Sequence, residues 1–199
     1  MENVPTDGEA IRASLSRPEA FEPVFDRHYD SIFRYLARRV GPDVGGELAS
    51  EVFTIAFAQR SRFHEDADDA RPWLYGIAAN LARRQARSWR RSRRAGQRST
   101  GGNVIWLDPA PEERIDAERM RAILIDAISQ LRSSDREVLL LHALTDLTYR
   151  ETAQALSIPI GTVRSRLARA RRSVREILIA SGHADIAAEL EEEGAPDAG

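Results

Sequence analysis

The chain has 199 residues, room for one large domain or two small ones, and its 42% hydrophobic and 30% charged composition is that of a soluble globular protein. The lack of cysteine excludes disulfides, thiol catalysis and cysteine–zinc sites, and the absence of an 18-residue apolar run or a leader-like start (MENVPTDGEA) leads us to expect a cytoplasmic chain without membrane insertion. The formal net charge of −2 conceals a strong segregation: every basic residue is arginine, eight of them lie acid-free between Arg83 and Arg98, six more between Arg164 and Arg175, and 31 acids outnumber the other 15.

Residues 1–16 read as an N-terminal tail. From 21 to 40, FEPVFDRHYDSIFRYLARRV places Phe25, Tyr29, Ile32, Leu36 and Val40 on one helical face, and Gly41-Pro42 ends the run. ELASEVFTIAFAQR predicts a second amphipathic helix from Glu47 to Arg60. The polar stretch FHEDADDARP breaks the pattern, and a third helix opens near Pro72-Trp73, where proline suits a first turn. Residues 96–116, GQRSTGGNVIWLDPAPEERID, are Gly- and Pro-rich without periodicity and read as a flexible linker carrying an apolar VIWL patch.

Beyond the linker, Ser134-Asp135-Arg136-Glu137 and Thr148-Tyr149-Arg150-Glu151 both match the capping-box pattern, which predicts helix starts. Leu156-Ser157-Ile158-Pro159 breaks the second of these helices, and a last one runs from about Pro159 to Ala180. Residues 183–199 form an acidic tail. No strand alternation and no internal repeat occurs. The expected class is all-α: two small helical domains, residues 17–95 and 117–182, joined by the linker.

On the last helix, Val163, Leu167, Ala170, Val174 and Ile177 gather into one apolar stripe at 3.6-residue spacing. Arg164, Ser165, Ala168, Arg169 and Arg172 fall opposite, flanked by Arg166 and Arg171. Solvated charged faces usually interleave acids for i,i+4 pairing, and this stretch has none, which favours an external polyanion. A short helix from Thr148, a tight break and this helix form a helix-turn-helix, whose second helix enters the DNA major groove. Gly161 permits close approach near its start, where the helix dipole favours a phosphate. On the third helix, Leu74, Ile77, Ala78, Leu81, Gln85 and Trp89 share the inner face; Asn80, Arg83, Arg84, Arg87, Arg90, Arg91 and Arg94 share the other, with Trp73 at the edge. Cations beside an aromatic suit an unstacked strand; core packing is an equal alternative for Trp73 and the stronger reading for Trp89.

These strings resemble RNA polymerase sigma factors of the extracytoplasmic-function (ECF) type. ISQLRSSDREVLLLHALTDLTYRETAQAL followed by IPIGTVRSRLARAR is similar to region 4, and FEPVFDRHYDSIFRYLARRV through ELASEVFTIAF to RPWLYGIAANLARRQARSWRR is similar to region 2; together they cover roughly residues 20 to 180. The resemblance implies a transcription-initiation factor that is not an enzyme and needs no cofactor or metal. Its implied partners are core RNA polymerase, through the β′ clamp helices and the β flap, and promoter DNA, duplex at −35 and melted at −10. By motif position, Trp73, Asn80, Arg83, Arg84 and Arg87 face −10 DNA, and the loop from Phe63 to Arg71 offers a pocket for a flipped base. Thr162, Arg164, Ser165, Arg166, Ala168, Arg169 and Arg171 face −35 DNA. Glu47, Leu48, Glu51 and Phe53 match the polymerase-binding stretch, and the linker threads the catalytic core. The chain departs from the family pattern in Gly45-Gly46-Glu47-Leu48-Ala49-Ser50-Glu51, where Ser50 replaces the usual glutamine, and in Ser157, which replaces a common turn glycine. Control by expression level or by a partner such as an anti-sigma protein is expected.

Two other classes compete. A DNA-binding regulator acting without polymerase accounts for the helix-turn-helix but not for the second cationic helix; it shifts duplex DNA alone. A metal-dependent nuclease would draw on Asp66, Asp68 and Asp69, but His28, His64, His142 and His183 are isolated and show no metal-ligand spacing.

Overall fold

The computed structural model describes residues 5–64, 67–94 and 114–192. The VIWL patch and the end of the acidic tail lie outside the described residues. Helix α1 (Asp7–Ser14) is followed by a 3-10 turn at Pro18–Phe21, α2 (Glu22–Val40), α3 (Pro42–Gln59), a 3-10 turn at Arg60–Arg62 and α4 (Arg71–Arg94). After residue 113 come α5 (Arg114–Gln130), α6 (Ser133–Leu144), α7 (Tyr149–Leu156), α8 (Ile160–Ala180) and α9 (Ala184–Glu192). The fold is all-α, with two helical clusters.

Most of these boundaries follow from local chemistry. Gly41 has φ of 89°, a left-handed conformation that glycine adopts without steric cost. Its N–H donates to Ala37 O (2.9 Å) to close α2, and its carbonyl accepts from Gly45 N (2.8 Å) to open α3. Pro42 takes the first turn of α3, so this helix starts five residues before the expected Glu47. At Gly45 a β-carbon would sit 2.7 Å from Ala37 N, so α2 and α3 touch backbone to backbone.

Three expectations are corrected. The segment read as an N-terminal tail folds from Asp7 as α1, capped by Thr6: its hydroxyl accepts from Glu9 N (3.2 Å) while Glu9 Oε2 accepts from Thr6 N (2.9 Å). The segment read as an acidic tail contains α9, which buries Ile186 and Ala187. The capping box at Ser134 does not form; Arg132 is the N-cap residue without a side-chain bond, and the Ser134 hydroxyl turns instead to Asp135 Oδ1 (3.4 Å).

The larger core joins α1–α4 around Ile32, Leu36, Val52 and Leu74, and it also takes in Leu141 and Leu147 from the second half. Two smaller cores hold the second half together, one around Leu131, Val174 and Leu178 and the other around Val138, Val163 and Leu167. The halves meet where α7 lies on α4. At Gly76 a β-carbon would stand 2.6 Å from the Ala155 carbonyl oxygen, so only glycine permits this approach.

Across the same junction Arg39 donates twice to Glu137 (3.2 and 3.1 Å) and once to the Tyr35 hydroxyl (2.9 Å). The two charged side chains are only 8% and 12% exposed. Burial pushes the Tyr35 hydroxyl up, keeping it neutral, and although burial opposes the Arg39 charge, Tyr35 and Glu137 outweigh it and push Arg39 up. Removing one partner of such a pair leaves an uncompensated buried charge, a cost of about 3–5 kcal/mol if the other stays buried. Arg71 also reaches Glu151 (3.1 Å), but in a more exposed setting that contributes little.

Separating the halves lets Arg39 return to water, so disruption here is expected to open the molecule rather than unfold it. Gly76→Ala should favour the helical state of α4 by about 1 kcal/mol while forcing α7 away; Glu137→Ala should act in the same direction. Small-angle scattering should show a larger radius of gyration for both variants at unchanged helicity. An unchanged radius would mean that the junction absorbs the added methyl and the lost pair.

Candidate nucleic-acid interface

The helix-turn-helix is built by its caps. The Thr148 hydroxyl accepts from Glu151 N (3.2 Å) and Glu151 Oε2 accepts from Thr148 N (2.7 Å), so α7 begins at the predicted box. Ser157 ends it in the left-handed region (φ 52°), and Ile158 N–H reaches back to Ala153 O (3.0 Å) in a Schellman-type closure. Glycine would take this conformation with less strain. Pro159 then caps α8, and its carbonyl accepts from Thr162 N (2.8 Å).

On α8, Val163, Leu167, Ala170 and Val174 are buried as the periodicity predicts; Leu178 completes the stripe, while Ile177 is half-buried. Arg164, Ser165, Ala168, Arg169, Arg171 and Arg172 are exposed, and Thr162 and Arg166 are half-buried. Among the described residues nothing stands within 4 Å of a β-carbon at Gly161, which leaves room for a close partner at the start of α8. Arg169 is already engaged: Asp135, on α6, accepts from its Nε (2.8 Å) and Nη2 (3.1 Å). Asp135 is 34 positions away in sequence, which is why an acid-free reading of this stretch misses it. The pair fixes the direction of the Arg169 guanidinium on the exposed face.

On α4, Asn80, Arg83, Arg84 and Arg87 are exposed together, and Arg83 donates to Asn80 Oδ1. Trp73 is half-buried, with its ring 5.2 Å from that of Phe63 at a tilt of 54°. Both border a cleft of about 600 Å³ with Arg62, His64, Ala67, Asp69, Pro72 and Gln154. Of the loop from Phe63 to Arg71 that the resemblance singles out, Phe63, His64, Ala67 and Asp69 line this cleft; the contribution of Gln154, from α7, depends on tertiary packing and leaves no local signal. The four polymerase candidates differ in exposure. Glu47 and Glu51 are exposed on α3, whereas Leu48 and Phe53 are buried, Phe53 against Phe25 (4.9 Å) and Tyr29 (5.9 Å). Glu51 and the edge of Leu48 border a second groove, lined also by Arg84, Arg87 and Arg91.

Residues 121–174 match the family model "Sigma-70, region 4". The ECF RNA polymerase sigma factor SigC of Mycobacterium tuberculosis is 30% identical over 168 residues, covering 81% of this chain and 85% of SigC. The chain belongs to the ECF family of RNA polymerase sigma factors. ECF sigma factor BldN of Streptomyces coelicolor is 29% identical over 84% of this sigma factor, which spans only 63% of BldN's length. The sigma factor RpoE of Bartonella quintana, solved in complex with the anti-sigma factor NepR, shares the fold, with a TM-score of 0.58 at 21% identity over 80% of this chain and 97% of that one. Sigma factors are not enzymes, so the nuclease reading is withdrawn. Asp69 is instead held by Arg71 (2.7 to 3.1 Å), and Asp68 lies against α1 through a bond from Gly8 N to its carbonyl (3.4 Å). Among the described residues no helix is long and apolar enough to cross a membrane.

The hydrogen bonds from Arg169 hold the Asp135 carboxyl below the usual carboxylate range against the opposing effect of its burial. A depressed folded-state pKa contributes stability that is fully present above the unfolded value, about 3.9, and is lost as pH falls through the folded one. Asp135→Asn is therefore expected to lower stability at neutral pH and to flatten its decline below about pH 4. Urea unfolding of this sigma factor and the variant between pH 2 and 7 checks this; parallel curves would show that the pair carries no pH dependence.

Proposed function

We propose that this sigma factor binds core RNA polymerase and directs promoter-specific initiation in the cytoplasm, with region 4 (residues 117–182) reading the duplex −35 element and region 2 (17–95) holding the melted −10 element. The observation that carries the proposal is the α8 surface: a buried apolar stripe locks the helix down, and Arg164, Ser165, Ala168 and Arg169 stand outward behind a capped helix-turn-helix. Thr162 lies at the start of this surface, and Arg166 and Arg171 flank it within reach of phosphates. The exposed Asn80, Arg83, Arg84 and Arg87 take the single strand, with Trp73 and Phe63 offering rings to an unstacked base.

Glu47 and Glu51 are the α3 groups presented to the β′ clamp helices, while Leu48 and Phe53 support them from the core side. Region 4 meets the β flap, and the linker between the regions runs through the catalytic core. An anti-sigma protein is the expected negative regulator, by similarity to RpoE with NepR.

Run-off transcription on genomic fragments with purified core polymerase tests the function: discrete start sites should appear only when this chain is added. A duplex shift by the chain alone, without polymerase-dependent starts, would favour a free-standing regulator. Two substitutions separate the roles within α8. Arg164→Ala should cost about 1–3 kcal/mol on the cognate −35 element and relax preference there, as loss of a bidentate base contact does. Arg171→Ala should weaken all sequences alike and reduce the log–log salt slope by about 0.9. Uniform losses at both positions would reduce the arginine face to a non-specific coat.

Glu51→Arg should weaken core binding in a pull-down titration, because like charges facing one another are costly, and leave −35 binding unchanged. Unaltered core affinity would remove α3 from the interface.

A further inference from the structure

Helix α1 has a position that the promoter surfaces do not explain. Ala10 and Ile11 anchor it in the larger core, and its first turn meets the segment leading into α4 at several points. Asp7 is 4% exposed and lies where three parts of the chain converge. Its Oδ2 accepts from the backbone N–H of Ala70 (2.9 Å) and lies 2.7 Å from His28 Nε2 on α2; its Oδ1 accepts from Arg27, whose Nη2 also donates to Pro5 O (3.0 Å). Ala70 in turn accepts the first intrahelical bond of α4, from Leu74 N (2.9 Å). Burial alone would raise the Asp7 carboxyl, but His28, the Ala70 amide and Arg27 together hold it below the usual range, so it is ionised at neutral pH.

The neighbouring residue adds a steric constraint. Gly8 N–H donates to Asp68 O (3.4 Å), and a β-carbon at Gly8 would stand 2.2 Å from the Ala67 carbonyl oxygen. The Thr6 hydroxyl lies 3.5 Å from Asp68 Oδ1. Ala67 through Ala70 is therefore held from one side by the first turn of α1. On its other side, Ala67 and Asp69 border the cleft shared with Phe63 and Trp73.

We infer that α1 is a strap that sets the shape of the −10 cleft, and that Asp7 and Gly8 are positioning residues for capture of the unstacked promoter base. The inference rests on the proposed assignment of this cleft to the −10 element. The Ala67–Ala70 segment has no helix or strand to hold it in place. Hydrogen bonds are directional, so a buried carboxylate bonded to its backbone fixes it where apolar contact alone would let it slide. A site that must receive a base as soon as it leaves the stack gains from such pre-organisation.

The test uses the full chain with core polymerase and a forked DNA, duplex at −35 and single-stranded at −10, taken from the strongest run-off start site. 2-Aminopurine replaces each −10 base in turn, and its fluorescence reports unstacking into the protein. Asp7→Ala and Gly8→Ala should lower base capture about tenfold or more, with −35 duplex binding and core affinity unchanged. Asp7→Asn keeps an oxygen for the Ala70 amide and should retain much of the capture, even where it lowers the melting temperature as far as Asp7→Ala does. A role in stability alone predicts that capture follows melting temperature, and that outcome overturns the strap. Capture within twofold of the parent in folded Asp7→Ala and Gly8→Ala also overturns it. Trp73→Ala separates the two levels of argument: if it leaves capture intact, the cleft assignment itself fails; if it abolishes capture while the α1 variants do not, only the strap fails. Should Asp7→Ala fail to fold, Gly8→Ala and Asp7→Asn decide.

Discussion

The arrangement of this sigma factor depends on how closely α7 approaches α4. Gly76 contributes no side chain, and the Ala155 carbonyl occupies the space that one would need. That contact places Leu141 and Leu147 in the core of the first half and brings Glu137 to Arg39 in a nearly dry setting. A desolvated ion pair adds little net stability compared with apolar packing, but it penalises any misalignment that leaves one charge alone. The junction is consequently specific in register, and it reverses when both groups regain water together.

The arginines divide by environment. Arg39 and Arg27 are committed to internal carboxylates. Arg83, Arg84, Arg87 and Arg91 on α4 and Arg164, Arg171 and Arg172 on α8 keep their solvent exposure, with Arg169 the instructive intermediate. Asp135 takes two of its donors, so the guanidinium is already oriented in the free protein. Ordering it in advance reduces the side-chain entropy lost on contact.

Much of this was legible in the chain. The α8 stripe, the α7 capping box and the cationic side of α4 all come from spacing within one helix, where geometry is set by 3.6 residues per turn. The α1 helix was equally signalled, since Thr6 and Glu9 repeat the Thr148 and Glu151 pattern, but with only Ala10 and Ile11 to bury its periodicity is too short to register. The Ser134 box has the right letters and fails because its fourth residue, Glu137, is claimed by Arg39, a long-range contact. For the polymerase candidates, the helical wheel puts Glu47 and Glu51 one turn apart on a common face with Leu48 at its edge, and sends Phe53 to the far side. Grouping all four followed the family motif rather than the helix. What the sequence does not reveal is pairing between elements: Gly76 with Ala155, Asp7 with Ala70, Gln154 beside Trp73.

Gln154 links the cleft to the junction, since it belongs to the helix that covers α4. Because α7 is covalently connected to α4, it acts as a tethered ligand, present at an effective concentration in roughly the millimolar range. A competitor for the covered side of α4 must overcome that local excess. A competitor that grips one half alone has no such help, whereas one that grips both halves at once meets the requirement through avidity. Selectivity of this kind needs no added contact: it arises from the length of chain between two surfaces and from the one missing side chain that lets them close.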